Sequence, residues 1–171
     1  MVKLPRKFIL LFVLLVLVQV FVIDNIVFWN NMHPQVYVLF VLFLPANIPG
    51  WLLLSVSFLL GLSMDIFSDT LAIHTAATVF MGFCRPGTLN MITRQLDHPG
   101  KKSPTFSTLG SLSLIAYSAI LIFLHHLVLF FLEIFRLSEF GTILLRVLFS
   151  TIISIVLVII GYALLDRTIR S

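Results

Sequence analysis

Apolar residues run along this chain in long blocks, with the polar residues gathered in the gaps between them. The blocks cover residues 8–29, 36–44, 51–64, 71–84, 111–132 and 142–165. The first, fifth and sixth are long enough to cross a bilayer as helices. Residues 8–29 alone give about 33 Å of helix, against a hydrocarbon core of about 30 Å. Trp29 would then sit in the interface, where its ring has an apolar body and a polar N–H. The second block holds nine strongly apolar residues before Pro45. As a helix it measures roughly 14 Å, so flanking residues must extend it or the rest of the protein must enclose its ends. The third and fourth blocks are also short and need residues from the turn between them. That turn carries Asp65, Asp69 and His74.

The gaps read as turns and one loop. Residues 45–50, PANIPG, form a tight turn: proline blocks helix continuation and glycine accepts positive φ. The stretch 85–110 is rich in Pro, Gly, Ser, Thr and Lys and reads as a long loop. Leu89, Ile92 and Leu96 fall at helical spacing within it, which predicts a short interfacial helix beside basic residues.

Composition turns this pattern into a class. Hydrophobic residues make up 60% of the 171 residues and charged ones 11%, with a mean hydropathy of +1.13. Soluble domains average about 45–50% and about 25%. The chain reads as one integral membrane domain, residues 1–171, all-α, with lipid as the solvent for most of its surface. Lys3, Arg6 and Lys7 precede the first block like the start of a signal peptide, but no small-x-small cleavage site follows, so a retained helix is expected. The net charge of +4 is spread over segment ends and one loop and is no nucleic-acid signature. The single cysteine, Cys84, excludes an internal disulfide and offers no metal-binding spacing.

Charge also predicts topology. Six crossings with both termini inside put Lys3, Arg6, Lys7, Arg85, Arg94, Lys101, Lys102, Arg167 and Arg170 on the inner side. Asp24, Asp65, Asp69, Glu133, Arg136 and Glu139 fall outside, and among these loop residues Arg136 alone breaks the positive-inside rule. Were residues 36–44 not to cross, the basic loop would face outward.

The candidate chemistry is sparse. Ionisable groups at membrane depth cost roughly 2.5–3.5 kcal/mol each on insertion scales, so those present need water, a partner or a task. Asp65 and Asp69 stand four residues apart, on one face of a continuous helix. They could bind a metal or run acid–base chemistry with His74; the plainer expectation is that they cap the fourth helix, accept N–H bonds at the turn or pair with a basic group. Arg146, near the start of the sixth block, is the expected partner, with snorkelling to the headgroups as its alternative. His125 and His126 lie within the fifth block; a proton relay is one reading and neutral hydrogen-bonded rings the other. Gln19 suits an interhelical hydrogen bond. No nucleophile–His–acid order, phosphate loop, haem or dinucleotide motif is present, and no cofactor is expected.

Leu44–Pro45 closes an aliphatic and aromatic segment, Gly61–Leu62 is followed by Asp65, and His74 stands ahead of Ala76 and Ala77. With these residues the run 34–86 resembles the rod-shape-determining MreD family. A glycine often found two residues before the histidine is Ala72 here, which stiffens the turn. The resemblance implies six helices in a fold similar to the substrate-binding subunits of energy-coupling-factor transporters. It also implies a non-enzymatic part in bacterial side-wall growth, at the inner membrane, with MreC and the elongation glycosyltransferase and transpeptidase as partners. Pro45, Gly61, Ala76 and Ala77 are the expected packing points, and Asp65, Asp69, His74 and Arg146 the expected polar cluster. A small-molecule-binding transporter subunit is the alternative. It needs a polar pocket, and the few polar residues gather near the outer face.

Overall fold

The computed structural model describes residues 6–26, 33–93, 104, 106–134 and 140–170. Lys3, Trp29, Arg94, Leu96, Lys101, Lys102, Arg136 and Glu139, on which the topology and loop expectations draw, lie outside these residues. Among the described residues every regular element is helical. Helix α1 (Arg6–Val18) continues into a π-helical turn, Gln19–Ile23. A short α2 (Leu39–Phe43) follows, then α3 (Gly50–Ser68), α4 (Ile73–Thr93), α5 (Phe106–Leu109), α6 (Ser111–Ile134) and α7 (Phe140–Arg170).

Among the described residues four stretches are long and apolar enough to cross a membrane: Arg6–Ile23, Gly50–Ser68, Ser111–Ile134 and Gly141–Leu164. The distribution of polarity agrees with a membrane protein. Leu71 is 96% and Leu112 82% exposed, while Gln19, Ser57, Thr78, Ser150 and Ser154 are fully buried. Water would drive the opposite arrangement.

Helices α3 and α4 form an antiparallel hairpin, α4 packs on α6, and α6 on α7. The hairpin is close because two glycines open it. A methyl group at Gly61 would sit 2.5 Å from Thr75 Cα, and one at Gly82 2.5 Å from Ser57 Oγ. The sequence reading ended the fourth segment at Cys84 and began a loop at Arg85; α4 instead continues to Thr93 through Pro86. Proline removes one helix hydrogen bond, but Leu89 and Ile92 still pack into the core and hold the last turns. Their helical spacing therefore belongs to α4, and Arg85 points inward, with 1% of its surface exposed.

The second apolar block has a different form from the others. Residues 34–44 are all buried, yet only Leu39–Phe43 are helical. The block runs alongside α7, from Ser150 near His33 to Gly161 near Leu39. A segment too short to span as a helix gains length by staying partly extended, and the protein encloses it. Non-helical backbone at membrane depth needs internal partners. Gln19 Oε1 accepts from the N–H of Val36 at 2.6 Å and of Tyr37 at 3.3 Å, while Gln19 Nε2 donates to the Pro34 carbonyl. Ser154 Oγ accepts from the Gln35 N–H at 2.8 Å. Gln19 thus serves the threaded segment rather than a neighbouring helix.

Candidate functional site

Asp65 forms a structural joint between α3 and α4. Its carboxylate accepts the backbone N–H of His74 and of Thr75, each at 2.9 Å, and the hydroxyls of Thr70 at 2.6 Å and Thr75 at 2.5 Å. Two otherwise orphaned donors at the start of α4 are satisfied across the turn, and a negative charge is set against the positive end of that helix. The turn contains two residues at positive φ, Asp69 at 53° and Ala72 at 59°. Asp69 is exposed and ends α3 with its N–H on the Asp65 carbonyl. Ala72 occupies the conformation that glycine adopts most easily.

Below this joint lies a buried polar chain. Tyr37, fully enclosed, places its hydroxyl 2.9 Å from His125 Nε2, 3.2 Å from His74 Nδ1 and 3.4 Å from Thr78 Oγ1. Thr78 donates its hydrogen to the His74 carbonyl at 2.7 Å and can only accept from the others. The one phenolic hydrogen can go to His74, His125 or Thr78, and an imidazole it does not serve can donate to the phenol oxygen, with the same heavy atoms in each state. His126 donates from Nδ1 to the Ile122 carbonyl at 2.9 Å. Among the described residues His125 Nδ1 and His126 Nε2 are buried with no hydrogen-bond partner.

His74 also lines a pocket of about 380 Å³ between the end of α1, the start of the threaded segment and the α3–α4 turn. Asp24, Gln35 and Glu133 stand in its wall. Asp24 Oδ1 accepts from Gln19 Nε2 at 2.7 Å. Loss of solvent at the pocket wall raises the Asp24 carboxyl above the usual carboxylate range, against the Gln19 hydrogen bond and the nearby histidines, which favour the charged form.

At the other end of the threaded segment Arg85 makes a closed clamp. Its Nε donates to the Tyr117 hydroxyl at 2.9 Å, Nη1 to the Pro45 carbonyl at 3.4 Å, and Nη2 to the Leu44 carbonyl. Tyr117 in turn donates to the Leu42 carbonyl at 3.2 Å. The carbonyls left over where α2 ends are capped by a cation from α4.

The expected cluster of Asp65, Asp69, His74 and Arg146 is divided. Asp65 and His74 come together through backbone and turn. Asp69 is exposed, and Arg146, half-buried near the start of α7, supplies none of the four donors to Asp65. The carboxylate has its hydrogen bonds from threonine hydroxyls and a helix end, which leaves the guanidinium no role there. Among the packing points, Gly61 and Ala77 are buried within the chain, Ala76 is exposed, and Pro45 is held through its carbonyl. The reading missed Tyr37, Gln35, Asp24, Arg85 and Tyr117 as site residues; the available signal was polar side chains lying in or beside blocks otherwise made for lipid. Among the described residues no group of three or more His, Cys, Asp or Glu converges as a metal site. No family model, curated protein or solved structure matches the chain.

Proposed function

We propose that the chain is a non-enzymatic, MreD-like component of the bacterial elongation machinery. It crosses the inner membrane six times, with both termini cytoplasmic, in an arrangement similar to the substrate-binding subunits of energy-coupling-factor transporters. It acts by binding MreC and the elongation glycosyltransferase and transpeptidase. The observation that carries this reading is the joint between α3 and α4. Gly61, Asp65 and His74, three of the residues on which the resemblance rests, occupy one structural unit with Ala72, which departs from the family pattern: close approach, cap, capped helix and positive-φ turn. Ala72 stands at positive φ where the family often has glycine. Support for six crossings comes from the threaded segment, which runs beside α7 through the core, and from α4, which lies antiparallel along α3.

The pocket beside His74 favours a second reading, a small-molecule-binding subunit of a transporter. Expression in a rod-shaped bacterium depleted of its own MreD separates the two. Restored rods, with MreC recovered by crosslinking, are expected. Round cells and a chain that purifies with a small ligand and without MreC would replace the first reading by the second.

A further inference from the structure

Among the described residues the pocket wall sets carboxylates beside the uncharged or ring donors Asn25, His33, Ser68, Thr70 and His74. Asp24 and Glu133 contribute carboxylates, and no lysine or arginine lines it among the described residues. Gln35, which is 3% exposed and also lines it, has its Oε1 buried with no hydrogen-bond partner among the described residues. The Gln35 amide nitrogen is already used on the His33 carbonyl at 3.4 Å, so the oxygen is what remains to offer. His74 spends Nδ1 on Tyr37 and keeps Nε2 for the pocket. A buried acceptor without a donor is costly, and a partly desolvated carboxylate adds to that cost; a cationic donor relieves both.

Among the described residues no three His, Cys, Asp or Glu side chains group as a bare metal ion requires. The pocket measures about 380 Å³, at the small end of ligand pockets, with Val20, Phe67 and Leu129 supplying apolar wall between its polar groups. That is the shape of a short methylene chain carrying a charged head.

We propose that this pocket binds a primary alkylammonium group. Asp24 and Glu133 hold the charge, Gln35 Oε1 accepts one of its hydrogens, and the apolar wall holds the methylenes. The ammonium belongs either to a free amine or to a lysine side chain presented by a partner; the recognition chemistry is the same. The proposal does not rest on the elongation reading and is tested separately from it.

The test is calorimetric titration of the intact protein in maltoside micelles. The probes are 1,4-diaminobutane, acetyl-lysine N-methylamide and, as uncharged control, 1,4-butanediol. Saturable binding of at least one amine and none of the diol is expected. Asp24→Asn keeps an oxygen for Gln19 and should weaken amine binding by about tenfold or more, the scale of one charge-assisted hydrogen bond, and Glu133→Gln should weaken it less. Tighter binding of the diamine identifies a free amine as the source, and tighter binding of the lysine derivative a partner's side chain. Equal binding leaves the ammonium as the recognised group. No amine binding at millimolar concentration, binding of the diol equal to that of the amines, or amine binding that neither substitution weakens would overturn the proposal.

Discussion

At the Arg85 end of the threaded segment, two guanidinium nitrogens and one phenol meet the carbonyls of Leu42, Leu44 and Pro45, and the third guanidinium nitrogen donates to that phenol. At the His74 end, one phenol is shared by two imidazoles, Gln35 Oε1 and His125 Nδ1 are left over, and the space opens into a pocket. Both ends carry polar groups where lipid surrounds the protein, so both must answer the same desolvation cost. The first gives every guanidinium nitrogen a partner and fixes the shape of the core. The second answers it only in part, and spare valence at a cavity is what a binding site needs.

The comparison is open to attack by substitution, beginning where the effect should be largest. Arg85→Met removes the donor to two buried carbonyls and the partner of Tyr117. It should cost about 3–5 kcal/mol in denaturant unfolding from micelles. A loss below about 1 kcal/mol would mean the clamp fixes nothing. Asp65→Ala sharpens the boundary at the opposite end, because Asp65 lies close to the site yet is fully paired. It should cost about 2–3 kcal/mol, as the loss of a helix cap plus two hydroxyl partners. Asp65→Asn should recover part of this, since one oxygen remains as acceptor. Gly61→Ala forces α3 from α4 and should cost about 1–3 kcal/mol. The smallest effect has the opposite sign: Ala72→Gly relieves the positive φ and should stabilise by up to about 1 kcal/mol, set against the greater freedom of glycine in the unfolded chain.

Much of this was legible before the structure. Long apolar blocks gave α1, α3, α6 and α7, because a helix in lipid needs only length and the absence of charge. Gly61, Asp65 and His74 were legible as a group because the joint is local in sequence. The end of α4 was not, since Pro86 and Arg85 look like the start of a loop when it is unknown that Arg85 has carbonyls to bind. The threaded segment was legible as too short, but its partly extended form depends on Gln19, Ser150 and Ser154, which lie far from it in sequence. The pairing of Arg146 with Asp65 failed for a related reason: similar depth along the chain does not establish adjacency, and nearer threonines had taken the carboxylate.

The difference between the two ends is tested most directly by thermal melting of Tyr117→Phe beside Asp24→Asn. Tyr117→Phe strips an acceptor from Arg85 Nε and a donor from the Leu42 carbonyl, and should lower the midpoint by at least about 3 °C. Asp24→Asn keeps the oxygen that Gln19 uses and removes a partly desolvated charge, so its midpoint should stay within about 1 °C of the wild type or rise. Equal losses in the two variants would contradict the account, because the His74 end would then be as much a structural tie as the clamp.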